Sequence, residues 1–123
     1  MAKIVVVDDD PGQVELLRTF LQDKGHEVRC SSEGLGALTT MLQWPPDLVV
    51  ADVMMPDMGG APLLTAMREN AHLDRVPVIL ISGLSHEQVE HLCTGHTAFL
   101  RKPFSFGELA SSIERSLHTR PLY

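Results

Sequence analysis

The sequence is short of what nucleic-acid binding, secretion and membrane insertion each need. Only 10 lysines and arginines stand against 16 aspartates and glutamates, a formal net charge of −6. Neutralising nucleic-acid phosphates takes clustered cations, and here they are scattered, so direct nucleic-acid binding is not expected. No apolar run approaches the roughly 20 residues of a membrane span. The start, Met1 to Val5, runs straight into a strand pattern with no signal-peptide architecture. Cys30 and Cys93 have neither metal-ligand spacing nor the makings of a disulfide framework, and read as buried or idle thiols in a reducing cytoplasm. No linker, low-complexity segment or internal repeat interrupts the 123 residues, enough for one domain with a real core.

What is present alternates. Ile4 to Val7 is a β-branched run of the kind covered on both faces. Asp10-Pro11-Gly12 breaks it, and Val14, Leu17, Phe20 and Leu21 then recur at helical spacing until Gly25. Glu27 to Cys30 reads as a second strand. Leu35, Leu38, Met41 and Leu42 mark a second helix, ended before Pro45-Pro46 because a residue preceding proline avoids helical geometry. Leu48 to Ala51 is a third strand stopping at Asp52, and Pro56 and Gly59-Gly60 frame a loop. Leu63, Leu64 and Met67 define a third helix, with Pro62 acceptable in its first turn. Val76 to Ile81 is a fourth strand, ended by Ser82-Gly83. Ser85 and Gln88 form a capping-box pattern for a fourth helix with Val89 and Leu92 inward. Ala98 to Leu100 is a fifth strand before Lys102-Pro103. A second capping box, Ser105 and Glu108, opens a last helix lined by Leu109, Ile113 and Leu117.

Strand and helix in strict alternation imply a parallel sheet with helices on both faces, since each crossover must be right-handed. Ligand sites in such sheets lie beyond the carboxyl ends of the strands. Asp8, Asp9, Asp52, Ser82 and Lys102 all fall at those ends. Two adjacent acids repel unless a cation joins them, and oxygen-only ligands suit magnesium or manganese. The competing reading of such acids is a helix cap, a role open to Asp10. Asp52 is either a turn residue or a nucleophile able to form an acyl phosphate. Ser82 and Lys102 taken singly are a strand-ending cap and a solvated lysine. Gathered at one sheet edge, the set has the parts of a phosphoryl-transfer site.

Four strings in order carry a resemblance: IVVVDDD at 4–10, PDLVVADVMMPDMGG at 46–60, VPVILISG at 76–83 and FLRKPF at 99–104. From end to end, residues 1–123, the chain resembles the receiver domains of two-component response regulators. The resemblance implies an α/β flavodoxin-like (βα)5 fold with a five-stranded sheet in the order 2-1-3-4-5. It implies that Asp52 is the phosphoacceptor and that Asp8 and Asp9 bind magnesium together with Asp52 and the Met54 backbone carbonyl. Asp9 is the expected direct ligand of the pair. Ser82 then corresponds to the switch hydroxyl, Lys102 to the phosphate-binding lysine ahead of a cis Lys102-Pro103 bond, and Phe99 to the switch aromatic. The implied partners are a histidine kinase or histidine phosphotransfer protein and a downstream protein target that the sequence does not identify.

The departures from the family pattern concern the surroundings of the site. Gly59 stands where an acid or amide is usual, and is expected to loosen that turn. The stretch from Ser82 to Lys102 is short by ~2 residues, about half a helical turn, so the fourth helix is expected to be short or displaced. Phe99 lacks the hydroxyl of the common tyrosine. Met54 and Leu84, two residues beyond Asp52 and Ser82, are expected to flank the route of a hydrolytic water. His86, His91 and His96, spaced by five, do not share a helical face and read as solvated, and Trp44 as a partly buried loop anchor. A haloacid-dehalogenase-type phosphatase would want an acid at position 54. A phosphorylation-independent docking domain would lack one of the acid, hydroxyl or lysine groups, all of which are present. The initial Met and the short tail to Tyr123 favour, by a small margin, a complete single-domain regulator over an excised piece.

Overall fold

The computed structural model describes residues 2–55 and 58–118, so Pro56 of the expected loop and the tail to Tyr123 lie outside the described residues. Within them run β1 (Lys3–Val7), α1 (Pro11–Asp23), β2 (Glu27–Ser31), α2 (Gly34–Gln43), β3 (Leu48–Asp52), α3 (Gly60–Arg68), β4 (Val78–Ser82), α4 (His86–Leu92), β5 (Ala98–Arg101) and α5 (Phe106–His118). The strands pair in parallel in the order β2-β1-β3-β4-β5, the expected flavodoxin-like topology. Strand order reverses between β1 and β3, which opens a crevice at their carboxyl ends.

The apolar runs are continuous because both sheet faces are covered. Successive side chains point to opposite faces. Ile4, Val6, Val50 and Ile79 pack on one side with Leu17 of α1 and Leu109 of α5. Val5, Val7, Val49 and Leu80 pack on the other with Met41 of α2, Leu64 of α3 and Val89 of α4. Each fully buried side chain of this size stabilises the fold by about 1.5–3 kcal/mol.

Helix ends follow local chemistry. The Asp10 carboxylate accepts the Gly12 and Gln13 N–H groups, so Asp10 is the cap and not part of the acid cluster. Gly25, at φ 89, lets the chain turn after α1. Both capping boxes form: Ser85 Oγ accepts from Gln88 N at 3.2 Å, and Ser105 Oγ from Glu108 N at 3.0 Å. α4 has 7 residues, in keeping with the short span between Ser82 and Lys102.

Expectations change for Leu92 and for the start of β4. Leu92 is 54% exposed, because the inward stripe of α4 runs from Val89 to Cys93, four residues apart, and Leu92 falls beside it. In α2 the inward stripe is Gly34, Ala37 and Met41, leaving Leu35 and Leu42 60% and 51% exposed on its flank. The fourth strand begins at Val78 and not Val76, since Pro77 has no N–H to give a ladder and the Val76 carbonyl is taken by Arg68. Gly59 lies close against the Val53 backbone. A Cβ there would lie 2.5 Å from the Val53 carbonyl oxygen, so only glycine permits the approach. Trp44 is half-buried, as expected, with the Arg29 guanidinium 4.7 Å from its ring centre.

Candidate functional site

Sheet register brings the acids together. Val7 of β1 pairs with Ala51 of β3, so Asp8 and Asp52 follow in the same row at the strand ends. One carboxylate oxygen from each of Asp8, Asp9 and Asp52 lies within 4.8 Å of the other two. Asp8 and Asp52 are buried and Asp9 is exposed. The Asp52 carboxylate is held at both oxygens: Oδ1 accepts the Met54 N–H at 3.0 Å and Oδ2 accepts from the Lys102 ammonium at 2.9 Å. Ser82 ends β4 one row beyond Asp52, buried, and its hydroxyl oxygen accepts the Leu84 N–H at 3.1 Å. The Lys102 N–H donates to the Ser82 carbonyl at 2.7 Å, which ties the lysine's backbone to the hydroxyl's strand. The Lys102-Pro103 bond is cis.

The charges are unevenly satisfied. Asp8 Oδ1 accepts the Asp10 N–H at 2.9 Å, but Asp8 Oδ2 is buried without a hydrogen-bond partner. Burial pushes the Asp8 pKa up, and the Asp52 and Asp9 charges add to this against the Asp10 N–H and Lys102. Lys102 shows the reverse balance. Burial works against its charge, yet the hydrogen bond and charge of Asp52, helped by Asp8 and Asp10, raise its pKa. An orphaned buried carboxylate oxygen facing two further acids fits a hard divalent cation with oxygen ligands.

Other expected residues sit around this centre. Phe99 pairs in register with Leu80, two rows below the strand end, half-buried against the α2–α3–α4 layer. Its ring meets His86 edge-on, centres 4.9 Å apart and planes at 86°. The Met54 side chain is 61% exposed, and Leu84 is half-buried against the same layer as Phe99. His86 and His91 are exposed as expected, but the His96 side chain is only 11% exposed. Gly95, at φ 90, turns the chain immediately before it. One contributor was missed. A Cβ at Gly60 would come 2.9 Å from the Asp52 carbonyl, so this glycine lets α3 start directly against the Asp52 backbone. The glycine pair after a strand-end acid was the available signal.

The sequence pattern that defines the response regulator receiver domain matches residues 4–114. The chain belongs to that family. It is a receiver domain of two-component systems, a signalling domain. Response regulator Rre1 of a Synechocystis strain is 32% identical over 117 residues, 93% of this chain but 51% of that protein. The chain thus spans about half the length of this relative. The receiver domain of a signal-transduction histidine kinase from Syntrophus aciditrophicus superposes with a TM-score of 0.88 at 32% identity, covering 96% of this chain and 91% of that one. Chemotaxis protein CheY4 of Vibrio cholerae gives 0.86 at 29% identity, covering 94% and 98%.

Proposed function

We propose that this receiver domain, read as residues 1–123, is a phosphoacceptor switch in which Asp52 takes a phosphoryl group from a phosphohistidine. The observation that carries the reading is the two-sided hold on Asp52. The Met54 N–H and the Lys102 ammonium fix its carboxylate at the mouth of the acid cleft. One Asp52 oxygen attacks phosphorus in line, the bond from phosphorus to the histidine nitrogen breaks, and the imidazole leaves with that electron pair. Lys102 then exchanges part of its contact with Asp52 for a phosphoryl oxygen. Asp8, Asp9, Asp52 and the Met54 carbonyl would hold magnesium or manganese, which supplies positive charge for the phosphoryl oxygens. The orphaned Asp8 Oδ2 supports that assignment.

The Ser82 hydroxyl accepts the Leu84 N–H, and its own proton is available to a phosphoryl oxygen. Turning toward that oxygen gives up the Leu84 contact and frees the loop from Gly83 to Ser85. Leu84 and Phe99 pack against one apolar layer, so the loop and the aromatic ring shift together. The donor is a histidine kinase or histidine phosphotransfer protein, and the readout is a protein target. Two free thiols suit work in the cytoplasm.

The test is labelling by acetyl phosphate with magnesium present. The parent is expected to form an acid-stable, base-labile phosphoprotein, and Asp52→Ala to form none while keeping its fold by circular dichroism. A variant labelled on the parent's timescale removes Asp52 from the role.

A further inference from the structure

The short helix α4 is held differently at its two ends. Of its 7 residues only Val89 is buried, with Cys93 buried at the cap behind it. On the amino-terminal side, the loop from Gly83 to Ser85 is tied down by the Leu84 N–H, which donates to the Ser82 hydroxyl at 3.1 Å. The Arg101 Nε–H reaches the Gly83 carbonyl only at 3.5 Å. On the carboxyl-terminal side, the connection to β5 is clamped by Arg68, the last residue of α3. Arg68 donates to the Gly95 carbonyl through Nε at 2.9 Å and through Nη2 at 2.8 Å. Its Nη1 donates to the Val76 carbonyl at 2.7 Å and to the Asp74 carbonyl at 3.2 Å, in the connection from α3 to β4. One planar guanidinium thus joins two connections with a fixed fork of donors, each bond assisted by its charge. Gly95 fits the clamp: its φ is 90, and a Cβ there would press on the Arg68 side chain at 3.3 Å. Just beyond it, the Thr97 N–H donates to the Val78 carbonyl at 2.8 Å.

We propose that Arg68 is a positioning residue of the switch: it makes the connection from α4 to β5 the fixed end of α4, so that phosphorylation moves this helix from its amino-terminal end. The trigger rests on the phosphoacceptor reading, and the pivot rests on the Arg68 bonds. Turning the Ser82 hydroxyl toward a phosphoryl oxygen releases Leu84, a single neutral hydrogen bond. That step breaks no bond of the clamp at the other end. The displacement is then largest at Leu84 and His86 and fades toward Cys93. His86, at the start of α4, is also the residue whose ring meets Phe99 edge-on, centres 4.9 Å apart. The end that moves is therefore the end that touches the aromatic ring, while β5 keeps its register.

The experiment is backbone hydrogen exchange of the full chain, read by mass spectrometry with and without acetyl phosphate and magnesium. In the parent, phosphorylation is expected to quicken exchange at residues 84–86 about tenfold, the scale of one lost hydrogen bond, and to leave residues 95–97 unchanged. Arg68→Lys keeps the cation but not the fork that spans both connections. In this variant residues 95–97 are expected to exchange faster even without phosphate, and the response to phosphorylation to spread along α4 as far as Thr97. A parent whose residues 95–97 open together with 84–86 overturns the proposal, and the phosphoacceptor reading survives it. So does a folded Arg68→Lys protein with the parent's profile, which would make the clamp irrelevant to the pivot. Intact mass reports the phosphoryl group separately. A parent that takes none overturns the phosphoacceptor reading and the trigger with it, and the anchoring by Arg68 is then decided by comparing the two unlabelled proteins.

Discussion

Lys102 Nζ sits 2.9 Å from Asp52 Oδ2, an ion pair formed across 50 residues by the ends of β3 and β5. The pair does two things at once. It neutralises a buried carboxylate, and it stations a cation where an incoming phosphoryl group would place its oxygens. Preorganised donors of this kind contribute mainly in the transition state. Lys102→Ala is therefore expected to slow acetyl phosphate labelling about a hundredfold, the usual cost of one such donor. A time course of phosphoprotein formation checks this, and a parent-like rate would reduce the lysine to a structural counter-ion.

Asp8 supplies the opposite case, a buried charge without full compensation. An acid whose folded pKa is raised binds more protons folded than unfolded, from its ordinary value of 3.8 up to the raised one. Stability therefore falls as pH rises through that window, and the penalty is fully present above the raised value. Asp8→Asn removes the charge while keeping an oxygen for the Asp10 N–H. It is expected to stabilise the metal-free protein by about 1–3 kcal/mol, the scale of an unsatisfied buried group. Magnesium should raise the thermal midpoint of the parent and not that of the variant. Calorimetry of both proteins with and without the ion decides the matter.

The strand ends were legible because a sheet covered on both faces writes continuous apolar runs, and Asp52, Ser82 and Lys102 interrupt three of them. That Asp8 and Asp52 lie in one row was legible only through strand order, which the resemblance supplied. Spacing alone says that a helix has an apolar stripe but not which flank meets the sheet, so Leu92, expected inward, lies exposed beside the stripe. Arg68 shows a further limit. Its guanidinium donates to the Gly95 carbonyl at 2.9 and 2.8 Å and to the Val76 carbonyl at 2.7 Å. Those acceptors are 27 and 8 residues away, and a cation at a helix end gives no sign of them. The burial of His96 was hidden for the same reason, since it depends on how the short α4 returns to β5.

His26 gives the fold a pH dependence away from the site. Its Nδ1 accepts the Ala2 N–H at 3.0 Å, which requires that nitrogen to be unprotonated. Burial lowers its pKa from the ordinary 6.5. The unfolded chain then binds the proton more readily, so the stabilisation is complete above pH 6.5 and declines as pH falls below it. Thermal midpoints from pH 7.5 down to 5 (about one unit above the ordinary value and 1.5 below) should fall more steeply for the parent than for His26→Gln. Parallel curves would mean that the Ala2 contact contributes nothing to the acid side.

The phosphorylated form is expected to be long-lived for a receiver domain. Hydrolysis needs a water in line with the bond from Asp52 to phosphorus, and Met54 and Leu84 are the residues two beyond Asp52 and Ser82. Met54 is 61% exposed, and its N–H is bonded to Asp52 itself. Leu84 is half-buried against the α2–α3–α4 layer, and before phosphorylation its N–H is bonded to the Ser82 hydroxyl. Neither side chain can hydrogen-bond a water strongly enough to orient it, and apolar bulk flanking the route would hinder its approach. Positioning catalysis of hydrolysis would thereby be lost. The Met54→Asn, Leu84→Glu double variant restores polar groups on both sides and should lose phosphate about tenfold faster or more at a fixed magnesium concentration, a modest share of what positioning can supply. The comparison is a decay of labelled protein after removal of the donor. Equal decay would show that water reaches phosphorus by a path these two residues do not guard.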